Sequence, residues 1–376
     1  MRIFLAGGGT GGHLYPALAV ARAVTELEPA ARPLFIGAQR GIEREILPST
    51  GFEHVLLDLH PLYRTRPWRS WRTAVGFATA WRAIGAAARQ EPPLAVVGTG
   101  GYAAATALAW ATWNRVPYAI QEQNSYPGLT VRTFSHRARE LWLGFPEAAS
   151  SLRLRDPAAA VDTGNPITPP PSPRPERDAA RASWGLGPGG HVLLVSGGSQ
   201  GALALNEAVA GWVREGLPPG LSLIWGAGRA HFHRYRDLEA PNVRVRAYLD
   251  PMADAYAAAD LALTRAGAMT TAELCAWGLP MVLVPLPTAA ADHQTANAVA
   301  LEAAGAAIHL PQAAMSVQSL REAVAGVVED PARAAALASG ARARGRPDAA
   351  AVIAGRLLAI ARGTAGSVGS VGGERR

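Results

Sequence analysis

Ile3-Phe4-Leu5-Ala6-Gly7-Gly8-Gly9-Thr10-Gly11-Gly12-His13 carries an apolar, strand-length run straight into a glycine-rich turn. The same pattern recurs at Val192-Leu193-Leu194-Val195-Ser196-Gly197-Gly198-Ser199-Gln200-Gly201. A glycine turn joining a strand to a helix lets backbone amides approach an anion and aims the positive end of the helix dipole at it. Two such turns predict two Rossmann-like halves and make a diphosphate the first ligand to consider.

Outward from the first turn, apolar runs of strand length recur at residues 33–36, 55–57, 94–97 and 118–120, with helical stretches between several of them. A second series follows residues 192–195 at 221–225, 243–247, 261–264 and 281–284. This alternation argues for parallel, doubly wound sheets in an α/β chain. Residues 93–113 carry no charge, but Gly98-Thr99-Gly100-Gly101 interrupts them; a strand, a turn and an Ala-rich helix fit better than a membrane span. The prolines of Thr168-Pro169-Pro170-Pro171-Ser172-Pro173-Arg174-Pro175 rule out a helix or central strand there and mark the domain junction. The expected division is a first domain at 1–165, a second at 166–345, a closing helix at 346–363 that packs back on the first domain, and a flexible tail at 364–376.

With 376 residues, the chain has room for two ordinary domains. All 36 of its Lys and Arg residues are Arg, which excludes Schiff-base chemistry and a Walker-type phosphate lysine. The net charge of +7 favours an anionic partner. A single cysteine, Cys275, allows no internal disulfide and points to a reducing compartment. No signal-peptide pattern precedes the first strand, and no metal-ligand spacing stands out.

Three constellations carry polar chemistry. The loop Thr10, Gly11, Gly12 opens a helix whose first turn holds His13, an imidazole able to act as a general base or simply to cap the helix. Thr264-Arg265-Ala266-Gly267-Ala268-Met269-Thr270-Thr271-Ala272-Glu273 reads as strand end, turn and helix start. Its amides suit phosphate and its carboxylate suits a ribose diol, although an acidic residue near a helix start is also plain helix chemistry. Asp292-His293-Gln294-Thr295 and Asn297, past the strand at 281–284, gather the donors and acceptors that sugar hydroxyls require.

These motifs, with Gly100-Gly101-Tyr102, Gln121-Glu122-Gln123-Asn124 and Gly164-Asn165-Pro166, resemble in content and order the MurG family of glycosyltransferase family 28. The resemblance covers most of the chain. It implies a GT-B architecture of two Rossmann-like domains with parallel sheets facing a cleft, and an inverting transfer of GlcNAc from UDP-GlcNAc to the C4 hydroxyl of MurNAc in lipid I, giving lipid II and UDP for peptidoglycan. It implies donor contacts at Ser199, Leu249, Ala268, Met269, Thr270, Thr271, Glu273, His293, Gln294 and Asn124, with Thr10, Gly11 and Gly12 touching both substrates. Acceptor diphosphate would meet Thr10, Gly11, Gly12, His13, Gly101 and Tyr102. His13 is the implied base and Glu122 the second candidate, with no metal cofactor. Two positions depart from the family pattern: Thr168 stands where an Arg is frequent, and Gly226-Ala227-Gly228 follows Trp225 where a His-Gln pair is frequent.

Residues 61–90 hold six Arg, no acid and the aromatics Tyr63, Trp68, Trp71, Phe77 and Trp81. With Arg64, Trp68, Arg69, Trp71, Arg72, Trp81 and Arg82, this segment suits an anionic lipid surface, as a lipid-linked acceptor requires; a helix with solvated Arg is the plainer alternative. The expected location is peripheral, on the cytoplasmic face of the cell membrane. Expected partners are UDP-GlcNAc, lipid I and other cell-wall synthesis proteins, not nucleic acid. Competing functions are transfer to another lipid such as diacylglycerol, UDP-GlcNAc 2-epimerisation, or a non-catalytic sugar-nucleotide-binding membrane scaffold.

Overall fold

The structure, a computed structural model, describes residues 1–59, 70–198 and 201–371, with backbone alone at 70–74 and 366–371. The chain divides into two compact units, residues 1–167 with 348–376, and residues 168–347. The expected boundaries were 165/166 and 345/346.

Unit 1 contains β1 (Arg2–Gly7), β2 (Arg32–Ala38), β3 (Glu53–Leu57), β4 (Ala95–Gly100), β5 (Tyr118–Glu122), β6 (Glu140–Leu143) and β7 (Ala160–Asp162). They form one sheet in the order β3-β2-β1-β4-β5-β6-β7, with every neighbouring pair parallel. Around it lie α1 (Gly11–Leu27), α2 (Glu43–Ile46), α3 (Ser70–Gln90), α4 (Gly101–Trp113) and α5 (Leu129–Phe134). Alternate residues of β1 feed opposite faces. Ile3 and Leu5 pack with Leu14 and Leu18 of α1, while Phe4 and Ala6 pack with Ile84 of α3 and Leu108 of α4. Burial on both faces is why these strands read as unbroken apolar runs. Residues 93–113 form β4, the glycine turn and α4, and no described helix is long and apolar enough to cross a membrane.

Unit 2 repeats the plan with β8 (His191–Ser196), β9 (Leu221–Gly226), β10 (Val243–Arg246), β11 (Leu261–Thr264), β12 (Met281–Leu283) and β13 (Ala307–His309). Their order is β10-β9-β8-β11-β12-β13, again all parallel. Its helices are α6 (Arg177–Ser183), α7 (Leu203–Glu215), α8 (Met252–Ala258), α9 (Ala268–Trp277), α10 (His293–Ala303), α11 (Val317–Val328) and α12 (Pro331–Arg344). Leu193 and Val195 share a core with Leu205, Val209 and Trp212 of α7 and with Leu320 and Val324 of α11.

The last helix, α13 (Ala349–Val371), returns to unit 1. Ile353, Leu357 and Leu358 bury themselves in the core shared by α1 and β1, and Arg356 grips Glu140 at 2.6 and 3.1 Å. The expected flexible tail at 364–376 is corrected over its first part, since the helix continues to Val371. Residues 364–371 lack proline, so no backbone donor of the helix ladder is missing there. In both sheets the strand order reverses beside the first strand, between β1 and β4 and between β8 and β11. Ligands of open α/β sheets bind at such switch points, beyond the carboxyl ends of the strands. Both glycine turns lie there.

Candidate active site

At the unit 1 switch point two glycine turns pack back to back. Gly8, Gly9 and Thr10 leave β1, with Gly9 at φ +89° and Thr10 extended at the cap of α1. Gly100 and Gly101 leave β4 at φ +114° and +79°. A Cβ on Gly100 would lie 2.7 Å from the His13 ring, and one on Gly101 would overlap the Gly8 carbonyl oxygen. Only glycine allows both the backbone conformation and the approach. The His13 ring therefore stands over the β4 turn, with Nδ1 3.1 Å from Gly8 O. Only a protonated Nδ1 can donate to a carbonyl, so this bond makes Nε2 the basic nitrogen. Thr99 Oγ1 ties the turns together by donating to His13 O at 2.8 Å. Tyr102 projects from the first turn of α4, half exposed.

The next motifs interlock through buried amides. Gln121 Nε2 donates to Asn165 Oδ1 at 2.9 Å, Asn165 Nδ2 to Gln123 O at 3.0 Å, and Gln123 Nε2 to Thr99 O at 2.9 Å. This network stitches the ends of β4 and β5 to the segment after β7. Glu122 points to the other side of β5. One of its oxygens accepts from the Asn124 amide at 2.9 Å and from Asn124 Nδ2, while the other accepts from the Gly128 amide at 2.9 Å. Burial raises its pKa, and the amides of Asn124 and Gly128 oppose that rise.

At the unit 2 switch point, Gly197 and Gly198 leave β8, and Gly201 precedes α7; Ser199 lies outside the described residues. A Cβ on Gly201 would overlap Ala227 O, so the glycine turn packs on the Gly226-Ala227-Gly228 loop that ends β9. Asn206 fastens that contact from inside, donating to Ala227 O at 2.7 Å and accepting from Trp225 Nε1 at 3.0 Å. Leu249 is buried, with its Cγ 3.0 Å from where a Cβ on Gly226 would stand. Beyond β11, Arg265 braces the neighbouring strand end through Val284 O and Pro285 O, each at 3.0 Å.

α9 follows with Gly267 at its cap, so Ala268, Met269 and Thr270 occupy the first turn, where amides precede the first intrahelical acceptor. One turn on, Glu273 Oε2 accepts from Tyr256 OH at 2.6 Å. Burial raises the Glu273 carboxyl, and the Tyr256 bond pulls it back. Tyr256 itself is held well above the usual phenol range, first by burial and then by the facing carboxylate. Past β12, Gln294 Oε1 accepts from the Leu286 amide at 3.0 Å, and His293 Nδ1 lies 2.7 Å from Ala290 O. Among the described residues, no three His, Cys, Asp or Glu side chains gather as a metal site would need.

Residues 3–142 match the glycosyltransferase family 28 N-terminal domain and residues 192–353 its C-terminal domain. The chain is 42% identical to the UDP-N-acetylglucosamine--N-acetylmuramyl-(pentapeptide) pyrophosphoryl-undecaprenol N-acetylglucosamine transferase of Salinibacter ruber, over 96% of each chain. It is 38% identical to the enzyme of the same name in Chlorobium luteolum, over 96% of this chain and 99% of that one. The crystal structure of Acinetobacter baumannii MurG superposes with a TM-score of 0.75 at 26% identity, covering 95% of this chain and 99% of that one. This chain belongs to the MurG family.

The MurG-family motifs thus fall beyond the carboxyl ends of the strands in both sheets. Thr10, Gly11, Gly12, His13, Gly101, Tyr102, Glu122 and Asn124 gather at the carboxyl ends of the unit 1 strands. Leu249, Ala268, Met269, Thr270, Glu273, His293 and Gln294 gather at those of unit 2. Thr271 needs correction as a donor ligand. Its amide donates to Gly267 O at 3.0 Å and its hydroxyl to Gly267 O and Ala268 O, so helix formation consumes both groups. Four residues that sequence reasoning did not single out also shape these sites: Glu43, Thr99, Asn206 and Tyr256. Thr99 lies inside the quoted glycine run; the other three have no local motif.

Of the basic aromatic segment, Arg64, Trp68 and Arg69 lie outside the described residues. Trp71 and Arg72 fall on α3 where only the backbone is described. Farther along α3, Val75, Phe77 and Arg82 are exposed, and the Trp81 ring lies 5.7 Å from Phe77 and 6.5 Å from Trp113, itself 79% exposed.

Proposed function

We propose that this chain transfers GlcNAc from UDP-GlcNAc to the C4 hydroxyl of MurNAc in lipid I, with inversion, to give lipid II and UDP for peptidoglycan. The observation that carries the reading is the pair of anion-suited switch points in a chain 42% identical to a transferase named for that reaction.

Unit 2 takes the donor. Glu273, with one oxygen held by Tyr256, presents the other to the ribose diol. Leu249 lies against uracil. The first turn of α9, with Ser199, receives the diphosphate, and Gln294 and His293 read the sugar. Negative charge growing on departing UDP meets the amides and the positive end of the α9 dipole, without a metal cofactor. Unit 1 takes the acceptor diphosphate on Thr10, Gly11 and Gly12, beside Gly101 and Tyr102. His13 Nε2 removes the C4 hydroxyl proton as the oxygen attacks the anomeric carbon. Glu122 already spends both oxygens on the turn after β5, so its role is to hold Asn124.

His13→Ala should lower kcat on a lipid I analogue by about 10²- to 10⁴-fold and abolish the acidic limb of the pH profile. Near-normal turnover with an unchanged profile would remove His13 as base, and equal turnover on diacylglycerol would move the acceptor assignment.

The protein reaches its acceptor as a peripheral protein on the cytoplasmic face of an anionic membrane. Support comes from exposed Val75, Phe77 and Trp113, with partly buried Trp81 between Phe77 and Trp113 and exposed Arg82 on the same helix, the kind of surface that enters the headgroup region. Replacing Phe77, Trp81 and Trp113 by Ser should abolish salt-sensitive sedimentation with anionic liposomes while UDP binding persists. Unchanged sedimentation would refute the placement.

A further inference from the structure

A buried carboxylate holds the unit 1 glycine turn from beneath, and no step above uses it. Glu43 opens α2 and is 0% exposed. Its Oε1 accepts from the Gly9 amide at 2.6 Å and from the Ala38 amide at 3.3 Å, joining the turn to the end of β2. Its Oε2 is buried with no hydrogen-bond partner among the described residues. Glycines close around the side chain: a Cβ on Gly8 would overlap Oε1, and one on Gly41 would overlap Oε2. The chain thus keeps a buried acid with one oxygen engaged by two amides and the other without a partner, an arrangement costly to bury. What that acid supplies is the position of one amide. Gly9 sits at φ +89° with its N–H directed down to Glu43, while the amides of Gly11 and Gly12 belong to the first turn of α1, before any intrahelical acceptor.

We propose that Glu43 is a positioning residue for the acceptor: by engaging the Gly9 amide it fixes the turn so that the Gly11 and Gly12 amides and the His13 ring are presented to the lipid diphosphate. The proposal rests on the reading of this loop as the acceptor site. Glu43 touches no substrate. Its effect therefore appears in acceptor kinetics and not in the nucleotide site of unit 2.

Two variants separate reach from charge. Glu43→Gln keeps an oxygen at the same reach, whereas Glu43→Asp keeps the charge and falls one methylene short. The Asp variant should lose about tenfold or more in acceptor kcat/KM with UDP affinity unchanged, and the Gln variant should stay within about threefold of wild type. An Asp variant equal to wild type, a Gln variant as poor as Asp, or a matching loss of UDP affinity would overturn the proposal. Hydrogen exchange across residues 8–10 gives a readout that does not depend on the Asp variant folding. Protection of the Gly9 amide in wild type and in the Gln variant is expected; open-loop exchange in either overturns the proposal. Gly11→Pro tests the underlying reading separately, because proline suits the first helical position and removes one loop amide. Acceptor kcat/KM unchanged in Gly11→Pro would defeat the acceptor-loop reading, whereas a loss there with none in Glu43→Asp would defeat only the role of Glu43.

Discussion

At the scale of single residues, the site depends on carboxylates whose partners lie far away in sequence. Tyr256 holds one oxygen of Glu273, leaving the other for the proposed ribose contact, and restrains the rise that burial gives its pKa. Tyr256→Phe should therefore weaken UDP by roughly 3- to 30-fold, the worth of one charged hydrogen bond, and move the acidic loss of UDP binding to higher pH. Titration calorimetry across pH checks both; an unmoved pH midpoint would dismiss the hydrogen bond as a control on Glu273. Glu122 gives a stability test with a definite sign. Burial raises its folded pKa, so its titration contributes stability that is fully present below the unfolded value, about 4.3, and is lost as pH rises through the folded pKa. Chemical denaturation of wild type against Glu122→Gln should accordingly favour wild type more at pH 4 than at pH 7. The glycine turns drew attention to His13 and Glu273 in the sequence, and the family resemblance, not their spacing, implied their roles. Glu43, Asn206 and Tyr256 were not legible, because their partners Gly9, Ala227 and Glu273 lie 34, 21 and 17 residues away, and only the fold brings each pair together.

At the scale of elements, most strands announced themselves as apolar runs, the edge strands β3 and β10 among them, whereas β6, β7 and β13 did not. β1, β8 and β11 carry unbroken apolar runs at 3–6, 192–195 and 261–263 that are buried on both faces. By contrast β7 and β13 have three residues each at sheet margins, and β6 has four and begins with a glutamate, too little for a pattern to emerge. Their places are set by pairing with neighbours already in the sheet. α13, expected from the sequence as a closing helix on the first domain, docks on unit 1. Its Leu357 is 0% exposed in the core of unit 1. Leu357→Ala should cost about 2–5 kcal/mol, the range for emptying a buried leucine site. A denaturant midpoint unchanged from wild type would show that the helix does not support that core.

At the scale of the whole molecule, the chain builds one fold twice, and the proposed function gives each copy a different task. The repeated glycine turn predicted the duplication. The sheet orders then place a reversal beside each turn, at the start of α1 in unit 1 and of α7 in unit 2. Division of labour follows from what surrounds those turns: an imidazole and a second glycine turn in unit 1, a buried carboxylate–phenol pair and a polar loop in unit 2. The measurement that tests this most directly is UDP release from UDP-GlcNAc with a lipid I analogue, EDTA present and diacylglycerol as the control acceptor, in wild type and Glu273→Ala. The account predicts UDP and a disaccharide product with lipid I alone, undiminished by EDTA, and a mutant whose UDP affinity falls by about 10- to 100-fold. Nucleotide binding without turnover on lipid I, or a Glu273→Ala variant indistinguishable from wild type, would contradict it.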